Sequence, residues 1–165
     1  MRNPKLIIAG ALAIAGAGTI TTAAAAPTPT GTEHFSLINI QTSGPTPLHY
    51  SAIATGAFTA GGTAILDLRA GTGTLRFQDG SIRLLTKHSP TKTTGNLKTC
   101  LQKDTQSGTY TIVSGTGVYK GISGSGKYTD KATFVGATVN GKCSNDTTAD
   151  AIQIILTAIG PVSLP

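Results

Sequence analysis

Apolar and polar residues alternate along most of the chain after residue 31, in short segments separated by Gly, Pro or Asn. Alternation with a period of two is typical of a strand with one buried face. In the last such segment, Ile152, Ile154 and Leu156 share one face and Gln153 lies on the other. The predicted strands are His34–Gln41, Leu48–Phe58, Thr63–Ala70, the hairpin Thr74–His88, Leu97–Lys103, Thr109–Val113, Lys127–Val139 and Ala149–Ile159, and Ser89–Asn96 is predicted to be a polar loop.

Eight or nine short strands with glycine turns between them predict a single all-β domain, either an antiparallel barrel or a sandwich. No segment in this part of the chain shows the period and caps of a helix. Glycine and threonine supply 21 and 28 of the 165 residues, and only 12 % of residues are charged although 39 % are hydrophobic. This composition excludes a charged disordered chain and a coiled coil. Five of the glycines fall between residues 115 and 126, and this clustering favours an eight- or nine-stranded β-barrel.

The first 26 residues have the pattern of a secretory signal peptide. Arg2 and Lys5 precede an apolar stretch, and Ala24 and Ala26 fit an A-x-A cleavage site before Pro27. We therefore expect a signal peptide over residues 1–26, a flexible lead-in over 27–31 and a β-barrel domain over 32–165, in a protein that is secreted or associated with the cell envelope. The alternative is an uncleaved anchor, since residues 6–26 are 21 uncharged positions that could just span a bilayer.

The charge of the chain does not indicate a nucleic-acid partner. Without the signal peptide the basic residues fall from 13 to 11 against 7 acidic ones, so the net charge falls from +6 to +4. The remaining basic residues are scattered, whereas a nucleic-acid surface clusters them with aromatic residues.

A nucleotide site is not indicated either. Gly121–Lys127 matches the G-x-x-x-x-G-K core of a phosphate loop, but Tyr128 follows where Ser or Thr is needed, and a strand is predicted where the loop requires a helix. We expect no cofactor.

Cys100 and Cys143 are the only cysteines, and an exported protein meets an oxidising compartment. We predict one disulfide between them, closing a loop of about 43 residues and contributing roughly 4 kcal/mol by the chain-entropy relation. The alternative is a reactive thiolate or a metal ligand, which no C-x-x-C spacing supports.

The strongest hairpin signal is Asp79-Gly80 between two alternating segments, typical of a type I′ turn. With these two residues as the loop, Arg76 lies directly opposite Arg83 on the outer face, and the inner face carries Leu75, Phe77, Ile82 and Leu84. Like charges in a cross-strand pair are unfavourable. The two arginines are therefore either solvated side chains or a weak candidate site for an anion.

Few other residues are candidates for a catalytic, binding or metal site, and no set of residues matches a known catalytic arrangement. Asp67 shares a strand face with Ile65, so it is either a solvated acid or, if that face lines the barrel, a buried functional carboxylate. Three histidines in a barrel lumen could hold zinc. His34, His49 and His88 are far apart in the sequence, however, and we expect no metal site.

The most regular motif of the chain is G-T-G-V-Y-K-G-I-S-G, which contains Gly115, Gly117, Gly121 and Gly124. We interpret it as a structural turn in which glycine permits close backbone approach, with Val118, Tyr119 and Ile122 folded back as a plug on one end of the barrel. The motif resembles the G-T-G-x-[FY]-x-G-x-x-G turn of the allene oxide cyclase and dirigent-like proteins. The chain is also similar to uncharacterised secreted bacterial proteins that share F-T-A-G-G-T, found here at residues 58–63.

The resemblance implies an eight-stranded antiparallel β-barrel with a ligand cavity, although no catalytic or binding residue of those families is matched to a position in this chain. Three functions stay open. The first is a non-enzymatic exported barrel that binds a small apolar or amphipathic ligand or a cell-envelope partner. The second, implied only by the resemblance, is an isomerase or cyclase of an unsaturated lipid-like substrate. The third is a structural protein of the cell envelope. The sequence makes no prediction about the oligomeric state.

Overall fold

β-strands make up about three quarters of the chain that the structure describes, which is residues 30–41, 47–144 and 149–165 of a computed structural model. The strands are β1 Thr30–Gln41, β2 Leu48–Gly56, β3 Thr59–Asp67, β4 Thr72–Phe77, β5 Gly80–His88, β6 Lys92–Asn96, β7 Leu101–Gly115, β8 Ser123–Gly136, β9 Thr138–Val139, β10 Lys142–Cys143 and β11 Ala149–Ser163. A 3₁₀ turn spans Gly117–Tyr119. Within these ranges no helix is long and apolar enough to cross a membrane. The predicted signal peptide lies outside the described residues.

Eight of the strands form a closed antiparallel barrel. The sheet runs in the order β5-β4-β3-β2-β1-β11-β8-β7, and β5 then pairs with β7 from Ile82 opposite Gly115 to His88 opposite Gly108. β6 pairs with the start of β7 beyond the closure, and β9 and β10 form a separate small hairpin. The prediction of an all-β, eight- or nine-stranded antiparallel barrel is confirmed.

Alternation along the strands places one face inside the barrel, as the sequence pattern predicts. Tyr50, Ala52 and Ala54 on β2 and Ile154 and Leu156 on β11 are all buried. The inner face of the β4–β5 hairpin is the predicted one, made by Leu75, Phe77, Ile82 and Leu84. Side chains from all eight strands therefore fill the interior of the barrel.

One end of the barrel is closed by the glycine-rich segment, which we call the plug end. Tyr119 and Ile122 are buried there, as predicted, but Val118 is 61 % exposed, so its assignment to the plug is wrong. Successive side chains of a 3₁₀ turn point about 120° apart, and Tyr119 takes the inward position. Its ring lies 5.2 Å from that of Phe58 and 5.7 Å from that of Phe77. The plug is thus a small aromatic cluster.

The register of the β4–β5 hairpin differs from the prediction. The observed pairs are Phe77 with Gly80, Arg76 with Ser81, Leu75 with Ile82 and Thr74 with Arg83. The loop is therefore Gln78-Asp79, and the predicted Asp79-Gly80 loop is wrong. The reason is a tertiary contact with the plug: a Cβ on Gly80 would lie 2.1 Å from the backbone oxygen of Thr116, and the Val118 N–H donates to the Asp79 oxygen at 3.0 Å.

Several predicted strand boundaries are also corrected. β3 begins at Thr59 and runs through Gly61-Gly62, where a break was predicted. Lys92–Asn96 is a strand instead of a polar loop, because its backbone pairs with β7 although every side chain in it is exposed. The two strands predicted between Leu97 and Val113 are replaced by the continuous β7, which neighbours on both sides hold in register.

The predicted disulfide is confirmed. The sulfur atoms of Cys100 and Cys143 lie 2.04 Å apart and the Cα atoms 5.3 Å apart. Cys100 precedes β7 and Cys143 ends β10, so the bond ties the β9–β10 hairpin to the end of the barrel opposite the plug. We call that end the mouth.

Adjacent glycines in β3 offer a matched test of the packing. A Cβ on Gly62 would lie 2.0 Å from the backbone oxygen of Arg76, whereas a Cβ on Gly61 would meet nothing within 4 Å. We expect Gly62→Ala to lower the free energy of unfolding by about 2 kcal/mol, because β3 and β4 must separate. Gly61→Ala is expected to change it by less than about 0.5 kcal/mol. Urea unfolding of both variants measures the difference, and equal effects would contradict the described pairing.

Candidate functional site

Among the described residues, two acidic side chains are buried inside the barrel. Glu33 on β1 is fully buried and Asp130 on β8 is 8 % exposed. Each lies on the inward parity of its strand, Glu33 with Phe35 and Asp130 with Tyr128. Sequence reasoning missed both residues, although an acid on the apolar parity of a strand is the signal that could have found them. A buried carboxylate is costly unless it is paired or protonated, so both positions need a physical account.

Glu33 lies at the plug end, beneath the loop that joins β2 to β3. Its Oε2 accepts a hydrogen bond of 3.1 Å from the Phe58 N–H, and its Oε1 has no partner. Burial raises the pKa of Glu33, while the backbone N–H groups of Phe58, His34 and Ala57 lower it in part. With the plug packed over this end and no accessible surface on Glu33, its role is structural: it fixes the loop that carries Phe58.

Asp130 lies towards the mouth and borders an open pocket of about 380 Å³, the mouth pocket. Asp130 is the innermost β8 residue of the pocket, since Ala132 and Phe134 follow it towards the mouth. Its Oδ1 is buried and has no hydrogen-bond partner. Burial raises the pKa of Asp130 from the ordinary 3.8 to about 6, the Lys131 N–H lowers it, and the charge of Asp104 raises it further.

The mouth pocket combines apolar walls with a polar rim. The apolar residues are Leu48, Leu68, Ala132, Phe134 and Ile154, and the polar ones besides Asp130 are Arg69, His88, Thr91, Asp104 and Gln106. Small-molecule sites typically have this character, with a few convergent polar groups among apolar side chains. Clefts of about 400 and 430 Å³ elsewhere on the described surface are similar in size, and neither is lined by an acidic residue.

Two tyrosines lie close to Asp130 inside the barrel. Tyr50 and Tyr128 are buried, and neither hydroxyl has a hydrogen-bond partner. Burial raises the pKa of both phenols, and the charge of Asp130 raises it further. Both therefore stay protonated and can donate a hydrogen bond. The inner end of the mouth pocket thus has a carboxylate with two phenols behind it.

The centre of the barrel is filled by side chains. The cavity there has a volume of about 30 Å³, enough for about one or two water molecules. It is bordered by leucines and aromatic rings, and Leu68 lines both this cavity and the mouth pocket. An organic ligand therefore has room at the mouth and none in the middle.

The residues that the sequence singled out lie elsewhere. Asp67 belongs to the outward parity of β3 and accepts a hydrogen bond of 2.8 Å from the Ala70 N–H, so it holds a turn. Arg76 and Arg83 are exposed, and the predicted direct pairing between them is wrong, because Arg76 pairs with Ser81 and Arg83 with Thr74. Gly115, Gly117, Gly121 and Gly124 all lie in the segment that closes the plug end.

The three histidines are not brought together. All are exposed, His34 on β1, His49 on β2 and His88 at the end of β5, where it reaches the rim of the mouth pocket. Among the described residues, no three His, Cys, Asp or Glu side chains cluster in a way that could hold a metal ion.

Fold and site together define a closed eight-stranded antiparallel β-barrel with an aromatic plug at one end and an acidic pocket at the other. Comparison with models of protein families, with curated proteins and with solved structures finds no match to the chain.

Burial of Asp130 has a consequence for stability. The folded state holds the Asp130 proton more tightly than the unfolded state, so the contribution of Asp130 to stability is greatest below the unfolded pKa near 3.8 and is lost as the pH rises from there through the folded pKa of about 6. The difference corresponds to about 3 kcal/mol. Asp130→Asn is expected to remove this loss, so its stability relative to wild type should rise by about 2 kcal/mol between pH 4 and pH 7, since part of the loss has already occurred at pH 4.

The matched control for this prediction is Asp79→Asn, which makes the same chemical change at an exposed position of the plug end. Chemical unfolding at each pH measures the free energies. A stability difference between Asp130→Asn and wild type that is the same at both pH values would show that Asp130 is not desolvated.

Proposed function

We propose that the protein is an exported, non-enzymatic β-barrel that binds a small ligand with an apolar body and a polar head in the mouth pocket. The observation that carries the proposal is the buried Oδ1 of Asp130, which has no hydrogen-bond partner and lies at the inner end of a pocket with apolar walls. Such a carboxylate is satisfied at low cost by a ligand that brings its own donor, because most of its desolvation has already taken place in the folded protein.

The size and position of the pocket support this proposal. About 380 Å³ lies within the range of small-molecule sites. The plug and the filled centre leave the mouth as the place where a ligand can contact the interior. The ligand is therefore expected to insert its polar head towards Asp130 and to rest its apolar part against Phe134 and Ile154.

Export is proposed from the pattern of residues 1–26 together with the disulfide. Disulfides persist in oxidising compartments and are rare in the cytosol, and Cys100 and Cys143 are bonded here. The resemblance of the glycine-rich segment to allene oxide cyclase and dirigent-like proteins agrees with a barrel that binds a ligand, and that relationship is part of the proposal.

A second candidate function is acid–base isomerisation of a bound unsaturated ligand. The observation in its favour is that burial raises the pKa of Asp130 to about 6, close to the range in which a carboxyl group exchanges protons efficiently. The two functions differ in what leaves the pocket. A binding protein returns its ligand unchanged, whereas an isomerase releases a product of the same mass with a different retention time, and Asp130→Asn abolishes that product.

The experiment is mass spectrometry of small molecules that copurify with the protein from its native host. Ala132 faces the pocket and Ala151 is exposed on β11 outside it. We expect wild type and Ala151→Phe to retain the same compound, and Ala132→Phe to lose most of it, because the larger ring occupies the pocket. Equal retention by the two variants, or no compound on wild type, would contradict the proposal.

A further inference from the structure

We infer that the mouth pocket selects ligands whose polar head is an organic ammonium group, anchored on the carboxylate of Asp130. The inference rests on the proposed function and names the chemical class of its ligand.

The charge that acts on Asp130 is that of another acid, Asp104. Asp104 on β7 pairs with Ala132, and Asp130 pairs with Gln106, so the two acids are diagonal neighbours on the inner face of β7 and β8. Like charges so placed repel each other, and the charge of Asp104 does act on Asp130. Two neighbouring carboxylates make the inner end of the pocket attractive to a cation.

The two acids differ in their hydrogen bonds. Asp104 is half-buried, and both of its carboxylate oxygens accept from Gln102 Nε2, at 3.1 and 3.3 Å. Asp130 is more than nine-tenths buried, and its Oδ1 has no donor. Asp130 is therefore the acid that still lacks a hydrogen-bond donor, and Asp104 adds negative potential beside it.

The basic residues of the pocket do not neutralise Asp130. Arg69 and His88 also line the pocket, but both are exposed at its rim. Neither is among the groups that lower the pKa of Asp130, which are limited to the Lys131 N–H. These rim residues leave the inner end of the pocket acidic.

This site lacks a hydrogen-bond donor and a positive charge. An ammonium head group supplies both, whereas other polar head groups supply one of them or neither. It donates up to three hydrogen bonds and compensates the negative charge. A hydroxyl donates one bond and leaves the charge uncompensated, and a carboxylate is repelled.

The test uses three probes that share a phenyl body and differ in the head: 2-phenylethylammonium, 2-phenylethanol and 3-phenylpropanoate. Dissociation constants for the purified protein are measured at pH 7.5 by ligand-observed NMR. We expect the ammonium to bind at least about tenfold more tightly than the alcohol, because it compensates the charge of Asp130 in addition to donating a hydrogen bond. Binding of the propanoate is expected to be weaker still.

Two variants assign the preference to Asp130. Asp130→Asn keeps the shape and is expected to weaken ammonium binding about tenfold or more while changing alcohol binding less than about threefold. Asp79→Asn, at the opposite end of the barrel, should change neither. Preserved ammonium preference in Asp130→Asn would overturn the inference.

The outcomes separate this inference from the proposed function. If the alcohol and the ammonium bind equally and Ala132→Phe abolishes both, the pocket is a ligand site without selection for a cation, and only the inference fails. If none of the three probes binds and no compound copurifies with the protein, the proposed function fails together with the inference.

Discussion

Hydrogen bonds between β5 and β7 join the two ends of the sheet into a closed barrel. Closure removes the free edges that an open sheet would expose and turns one face of all eight strands into an interior. Large side chains from strands around the barrel meet in this interior and fill it, so the central cavity has a volume of only about 30 Å³. The two ends of the barrel are consequently the places where the interior can meet solvent or a ligand.

The two ends are built differently, and the buried acids show the difference. At the plug end, the 3₁₀ turn places Tyr119 against Phe58 and Phe77. Glu33 lies beneath this cover and is used to hold a loop. At the mouth no such cover is described, and Asp130 borders a pocket with one of its oxygens unpartnered. The same chemical group is thus a structural anchor at one end and an available acceptor at the other.

Much of the fold follows from the sequence pattern, because strand alternation and glycine turns are local signals. The inner faces of β2, of β11 and of the β4–β5 hairpin are as the alternation of residues predicts. The hairpin register was not predictable locally, since Gly80 is required by its contact with Thr116, far away in the sequence. The site was missed for a related reason: Asp130 matters through its neighbours Asp104 and Tyr50, which only the barrel brings together.

The central claim is that Asp130 is a desolvated carboxylate without a counter-ion at the mouth of the barrel. The most direct measurement is an NMR titration of its carboxyl ¹³C resonance, assigned by comparison with Asp130→Asn. The account predicts a midpoint at about pH 6 for Asp130. A midpoint near or below the ordinary value of 3.8 would contradict it, because the carboxylate would then be solvated or paired with a cation.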